Sequence, residues 1–235
     1  MKIGGLQKVT LVDYPGKLAC TVFLSGCNFR CPFCYSKELV LPEEIKKQPE
    51  ISETEFFNFL EEKRGLLEGC VLCGGEPTIY GEELVSFAKK IKSKGFVIKL
   101  DTNGTDPKII KRLIDEKTVD YIAMDIKAPL NKEKYSSAAG TNVDIEKIKE
   151  SVELIKNSGI DYEFRTTVVP GIHSKEDIIQ MAKDISPAKK YFLQGFRGEK
   201  GVIDEKLNNV RPFPDEFLKE IEGEIKSYFD VFKIR

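Results

Sequence analysis

Short runs of apolar and β-branched residues alternate along this chain with longer amphipathic segments. Such near-continuous apolar runs are typical of parallel strands that are covered on both faces. The amphipathic segments between them indicate helices that cross from one strand to the next. Strands are predicted at residues 18–25, 70–73, 96–101, 119–125, 162–169 and 190–196.

Helix-capping residues mark several of the amphipathic segments. Ser52, three residues before Glu55, predicts a helix start, and Ser174 predicts another by the same N-cap chemistry. Further helices are predicted at about residues 82–93, 107–116, 144–157 and 214–229. About six strand–helix units result, short of the eight that close a full barrel. We therefore expect an α/β fold, a partial (β/α)6 barrel, with residues 1–235 in a single domain.

The charge balance and hydropathy argue against two classes of protein. The chain has 37 basic and 38 acidic residues, and no basic stripe indicates nucleic-acid binding. No apolar run approaches the ~20 residues of a membrane span, and the first residues lack the apolar core of a secretory signal. We expect a cytoplasmic protein that binds neither nucleic acid nor membrane. The single histidine, His173, excludes a His-rich metal site.

Three of the six cysteines form a compact C-x-x-x-C-x-x-C motif directly after the first predicted strand: Cys27, Cys31 and Cys34. Thiolates are the soft ligands that iron–sulfur clusters and zinc both favour. A structural zinc site usually fills all four coordination positions, whereas three ligands on a cubane leave one iron open. The motif therefore favours a catalytic cluster over structural zinc or incidental buried thiols.

The remaining cysteines, Cys20, Cys70 and Cys73, lie within predicted strands. Residues three apart in a strand point to opposite faces, which argues against joint ligation by Cys70 and Cys73. We expect buried, inert thiols at these positions and regard a second cluster as the less favoured alternative.

Polar motifs follow the next three predicted strands, where the loops of a βα fold build its active-site face. In Gly74-Gly75-Glu76-Pro77, the glycines allow close approach to a ligand, and the carboxylate can accept a hydrogen bond from an ammonium group. Taken singly, each motif is better explained as a capped turn. The other two are Asp101-Thr102-Asn103-Gly104 and Asp125-Ile126-Lys127.

Taken together, these motifs resemble the radical S-adenosylmethionine (SAM) superfamily, and in particular its activating enzymes for glycyl-radical proteins. The resemblance implies a partial barrel of the radical SAM type and a 4Fe–4S cluster on the three cysteines, with SAM as the second cofactor. It implies a monovalent cation near Asp101 and Asp125. It implies SAM contacts at Phe33, Tyr35, Gly74, Gly75, Glu76, Thr102, Asn103, Asp125, Lys127 and Phe196.

Arg165 lies inside the fifth predicted strand, in a stretch that also resembles the activating enzymes. An arginine is costly there unless it is paired. Its partner is either the SAM carboxylate or a structural acid, and the two interpretations are equally good.

Residues 3–17 resemble the family of anaerobic ribonucleoside-triphosphate reductase activating proteins. The resemblance implies reductive cleavage of SAM to a 5′-deoxyadenosyl radical that installs a glycyl radical on that reductase. It also implies a low-potential electron donor such as flavodoxin or ferredoxin. Tyr35-Ser36 and Cys73 depart from the family pattern, where His-Asn and Ser are common. The alternatives are a radical SAM enzyme for a small molecule or peptide, and a non-catalytic zinc-binding module.

The longest irregular stretch, residues 197–212, is rich in glycine, charge and asparagine. A loop of this length is often a lid or a binding loop. A mobile surface loop is an equally good interpretation.

Overall fold

The strands form close to where the apolar runs predict them. The computed structural model describes residues 1–235, apart from the side chain of Lys200. Its strands are β1 (Ile3–Thr10), β2 (Ala19–Leu24), β3 (Gly69–Gly74), β4 (Val97–Thr102), β5 (Tyr121–Asp125), β6 (Asp161–Val168), β7 (Ala188–Gly195) and β8 (Phe229–Ile234).

Helices occupy most of the connections between these strands. They are α1 (Lys37–Val40), α2 (Pro42–Ile45), α3 (Glu53–Glu62), α4 (Glu82–Ser93), α5 (Pro107–Asp115), α6 (Lys132–Ala139), α7 (Ile145–Lys156), α8 (Lys175–Ile185) and α9 (Asp215–Ile225). Short 3-10 helices lie at Pro77–Tyr80, Gly198–Lys200, Glu205–Leu207 and Lys226–Tyr228.

The predicted caps form. The Ser52 side chain accepts from the Glu55 N–H, and Ser174 and Asp177 make a reciprocal capping box at the start of α8. The side chain of Asp144 caps α7. In the described residues no helix is both long and apolar enough to cross a membrane.

The chain groups into two compact units. The first comprises Met1–Asn28, Ser36–Thr102 and Asp106–Ala123, and the second comprises Phe29–Tyr35, Asn103–Thr105 and Met124–Arg235.

In the first unit, β2, β3 and β4 run parallel, and β1 pairs with β2 in the antiparallel sense. Strand β1 was not predicted, because Gly4-Gly5 and the exposed residues 7–9 interrupt its apolar pattern. The core includes a cluster of Tyr14, Ala19, Val71 and Tyr121.

In the second unit, β6, β7 and β8 are parallel neighbours. The prediction of a helix over residues 214–229 was wrong at its end, since α9 stops at Ile225 and the chain continues into β8. The side chain of Phe229, at the start of β8, packs against Tyr191, with 4.9 Å between ring centroids. Burial of that ring against the sheet favours a strand over a longer helix.

Candidate functional site

In the first unit, the turn Gly74-Gly75-Glu76 packs against the backbone that leads into Cys27. The Glu76 N–H donates to the Gly26 carbonyl oxygen at 2.8 Å, and the Gly75 N–H donates to the Leu24 oxygen at 2.9 Å. A Cβ at Gly75 would overlap the Gly26 carbonyl oxygen, so the turn requires glycine for this close approach. The structure thus packs this predicted motif against the two-residue stretch that separates β2 from Cys27.

The Glu76 carboxylate is 1% exposed and is held by hydroxyl groups. Its Oε1 accepts from Thr78 Oγ1 at 2.6 Å, from Thr78 N at 3.0 Å and from Thr102 Oγ1 at 2.8 Å. A buried carboxylate needs such donors, because losing its hydration without replacement is costly. Thr102, predicted as a cofactor contact, therefore orients Glu76 in this structure.

Lys99 is a buried ammonium that sequence reasoning missed. It is 2% exposed and forms an ion pair with Asp101, two residues later on β4. Residues two apart in a strand share a face. A lysine inside an apolar run, with an aspartate two residues later, could therefore have predicted this ion pair. Asp101, predicted as a possible cation ligand, has this ammonium as a partner.

In the second unit, residues 29–35 form a turn that we call the cysteine loop. The Cys34 N–H donates to the Cys31 oxygen at 3.0 Å, and the Arg30 N–H donates to the Ala139 oxygen at 2.8 Å. Burial raises the pKa of Cys31 to about 11, although the Lys127 cation opposes this shift. The Cys31 thiol is therefore neutral at pH 7 until a metal takes it up as the thiolate.

Asp125, Lys127 and Arg165 form one charged cluster in the second unit. Arg165 Nε lies 2.9 Å from Asp125 Oδ1, and Lys127 Nζ lies 3.1 Å from Asp125 Oδ2. Burial alone would raise the pKa of Asp125, but Arg165 and Lys127 lower it to about 2. Burial alone would lower the pKa of Lys127, but Asp125 outweighs it and raises that pKa. Arg165 thus pairs with an acid of the chain, and that acid was itself predicted to contact SAM.

His173 lies just before α8, is 4% exposed and has partners at both ring nitrogens. Its Nδ1 accepts from the Val169 N–H at 3.0 Å, and its Nε2 lies 2.8 Å from the Lys127 carbonyl oxygen. These partners assign the proton to Nε2. The ring also meets Phe33 edge-on, with 6.1 Å between centroids. His173 therefore links the cysteine loop to the segment that follows β5.

Tyr35 and Phe196, both predicted to contact SAM, stack on each other in the second unit. Their ring centroids are 6.0 Å apart, at an interplanar angle of 18°. Asn103 instead closes its own turn, since its Oδ1 accepts from the amide and the hydroxyl of Thr105.

The donor set fits an iron–sulfur cluster in its chemistry, because Cys27, Cys31 and Cys34 are free thiols, the soft ligands that such clusters favour. Among the described residues, no group of three His, Cys, Asp or Glu side chains is found that could hold a metal ion as it stands. Cys20 and Cys70 are fully buried register partners on β2 and β3, as expected for core thiols, whereas Cys73 is half-buried.

The model of the Radical SAM superfamily matches residues 21–185. A protein of Methanocaldococcus jannaschii named "putative glycyl-radical enzyme activating enzyme MJ1227" is 34% identical, over 99% of this chain and 95% of its own length. The pyruvate formate-lyase-activating enzyme of Listeria monocytogenes is 29% identical, over 57% of this chain and 56% of its own length.

A solved structure with a similar fold is Streptococcus suis SuiB bound to S-adenosylmethionine. Its TM-score is 0.64 at 14% identity, over 92% of this chain and 51% of that chain. The predicted α/β fold class of the radical SAM type is thereby confirmed. Since the family model and the whole-chain relative agree, the chain belongs to the radical SAM superfamily.

Proposed function

We propose that this chain activates a glycyl-radical enzyme, and that its target is an anaerobic ribonucleoside-triphosphate reductase. The activating role is supported by the whole-chain similarity to the M. jannaschii protein that is named a glycyl-radical enzyme activating enzyme. The choice of the reductase as the target is supported by the resemblance of residues 3–17 to the reductase activating proteins. In the structure, Asp13 and Tyr14 of that segment have structural roles, as Asp13 accepts from Thr21 and Tyr14 lies in the core.

The superfamily uses a 4Fe–4S cluster and SAM, and these are the cofactors of this radical SAM enzyme. Cys27, Cys31 and Cys34 would hold the cluster through their thiolates. When bound, the two cofactors supply a 5′-deoxyadenosyl radical that can take a hydrogen atom from a glycine. The protein contributes binding, orientation and exclusion of water.

Glu76 would accept a hydrogen bond from the amino group of SAM. Its carboxylate is already fixed by Thr78 and Thr102, so little conformational entropy would be lost when an ammonium group binds. The close packing of Gly75 on Gly26 keeps that carboxylate near the backbone preceding Cys27.

Asp125, Lys127 and Arg165 would provide the charged groups with which the second unit binds SAM. Lys127 can offer its ammonium to the SAM carboxylate, since Asp125 keeps it protonated, and Asp125 can accept from a ribose hydroxyl. Arg165 holds Asp125 in place through its Nε. A low-potential electron donor such as flavodoxin or ferredoxin completes the proposed set of partners.

The test is anaerobic reconstitution with iron and sulfide, followed by dithionite, SAM and a purified anaerobic ribonucleotide reductase. We expect SAM cleavage and a glycyl doublet in the electron paramagnetic resonance spectrum. A reductase whose radical glycine is replaced by alanine is the matched control and should give no doublet. Pyruvate formate-lyase in a parallel reaction tests the choice of target.

Each alternative has its own outcome. A doublet on pyruvate formate-lyase alone would contradict the reductase assignment. SAM cleavage without a doublet, together with turnover of a small molecule or peptide, would contradict the activating role. Bound zinc, no iron–sulfur absorbance and no SAM cleavage would contradict the enzyme assignment itself.

A further inference from the structure

Residues 197–208 follow β7 and lie along the cysteine loop; we call them the strap. The Ile203 N–H donates to the Cys34 carbonyl oxygen at 3.2 Å, and the Asp204 N–H donates to the Pro32 oxygen at 2.9 Å. Two consecutive amides of the strap thus bind carbonyl groups on either side of Phe33. The structure therefore favours an ordered segment over the mobile surface loop that was the alternative for this stretch.

Tyr35 holds the beginning of the strap. Its hydroxyl oxygen accepts from the Arg197 N–H at 2.6 Å, and its ring stacks on Phe196, which directly precedes the strap. One side chain of the cysteine loop therefore makes both a polar and an aromatic contact with this segment. Tyr35 is also a position at which the chain departs from the His that is common in the family it resembles.

The strap is braced internally. Val202 is 2% exposed, and its N–H donates to Asn208 Oδ1 at 3.0 Å. The Leu207 N–H donates to the Asp204 oxygen at 2.9 Å. A Cβ on Gly198 would lie 2.6 Å from the Leu207 oxygen, so the two ends of the strap meet at a point with no room for a side chain. These contacts give the strap one compact shape.

We propose that the strap shields one side of the cysteine loop and that Tyr35 holds the strap in this position. The strap fixes the Pro32 and Cys34 carbonyl groups, and so positions the backbone that carries two of the three proposed cluster ligands. It also slows the access of thiol-reactive molecules to Cys34. Tyr35 acts through the strap and is a positioning residue. Shielding matters at this place because exposed cysteine thiolates are the ones that oxidants modify.

The test uses the reduced full-length chain without its cluster, so its outcome does not depend on the proposed target. Amide hydrogen exchange is measured at Arg197, Ile203 and Asp204, and the alkylation rate of Cys34 is measured with iodoacetamide. Tyr35→Phe keeps the stacked ring and removes the hydroxyl acceptor. Loss of one hydrogen bond should raise amide exchange and Cys34 alkylation about three- to tenfold.

The matched control is Tyr162→Phe. The Tyr162 hydroxyl also accepts a backbone N–H, from Lys189 at 3.1 Å, and lies in the same unit. This variant loses the same kind of bond away from the cysteine loop. It should leave amide exchange at residues 197, 203 and 204, and alkylation of Cys34, at the wild-type rates.

A second variant tests the strap without touching Tyr35. Gly198→Ala should push the two ends of the strap apart and raise amide exchange at residues 203 and 204. Gly223→Ala is the control and should leave this exchange unchanged, because a Cβ at Gly223 meets nothing within 4 Å. The proposal is overturned if the wild-type amides of Ile203 and Asp204 exchange as fast as unprotected peptide. It is equally overturned if Tyr35→Phe and Tyr162→Phe give the same Cys34 alkylation rate.

Discussion

The imidazole of His173 donates from Nε2 to the backbone carbonyl oxygen of Lys127 at 2.8 Å, while its Nδ1 accepts from the Val169 amide. Only the neutral ring can make both bonds, because a protonated Nδ1 would meet the Val169 N–H with a second proton. Burial, the largest cause, lowers the pKa of His173 below its ordinary 6.5.

We predict that nuclear magnetic resonance titration of this single imidazole gives a pKa below 6.5. Since the folded pKa is depressed, the contribution of His173 to the free energy of unfolding is complete above pH 6.5. It is lost as the pH falls through the folded pKa. His173→Gln, measured by denaturant unfolding over the same pH range, should lack this slope. An imidazole pKa at or above 6.5 would contradict the neutral assignment.

Replacing Asp125 with asparagine should destabilise the cluster-free chain by about 2 kcal/mol at neutral pH, from the fall of its pKa to about 2. The depressed pKa means that this contribution is present above pH 3.8 and is lost as the pH falls towards 2. Denaturant unfolding at pH 7 measures the loss of stability, and the same measurement at pH 3 shows how far the contribution of Asp125 has decreased. Asp161→Asn is the control, because Asp161 is 62% exposed and pairs with Lys190 at 3.8 Å. An equal loss of unfolding free energy in the two variants would contradict a larger contribution from the Asp125 cluster than from an exposed ion pair.

Much of this site could be predicted from local sequence. The Gly-Gly-Glu turn, the capped helices and the cysteine motif depend on residues near one another along the chain. The partners of these groups could not be predicted in the same way. Nothing in the local sequence pairs Lys127 with His173, 46 residues away, or places Ile203 on Cys34. Such contacts follow from tertiary packing, and burial then decides which polar groups must find a partner.

Gly75→Ala should destabilise the chain by a few kcal/mol, because its Cβ would overlap the Gly26 carbonyl oxygen and the backbone would have to move. Gly223→Ala is the matched glycine control. That position is exposed within α9, and alanine there should stabilise the helix by about 0.5–1 kcal/mol. Thermal unfolding compares the two. A Gly75→Ala protein as stable as wild type would contradict the close packing of this turn.

Single replacement of Cys27, Cys31 or Cys34 by alanine should abolish stoichiometric iron binding after anaerobic reconstitution. The same change at Cys20, Cys70 or Cys73 should preserve most of it, since these side chains lie within β2 and β3. Iron and sulfide content, together with the visible absorbance of the reconstituted protein, provide the measurement. A Cys31→Ala protein that binds iron as well as Cys20→Ala would refute the assignment of ligands.

The full burial of Cys20 and Cys70 has a practical consequence for labelling stoichiometry. The hydrogen bond between the Cys70 and Cys20 thiols is the leading cause that raises the pKa of Cys70, followed by burial, so this thiol resists ionisation. A native chain treated with a thiol-specific dye should therefore react at the partly exposed Cys27, Cys34 and Cys73, while the buried Cys20 and Cys70 stay unlabelled. Cluster formation should then prevent dye from reacting with Cys27 and Cys34, whereas Cys20 and Cys70 take up dye only on denaturation and serve as an internal standard.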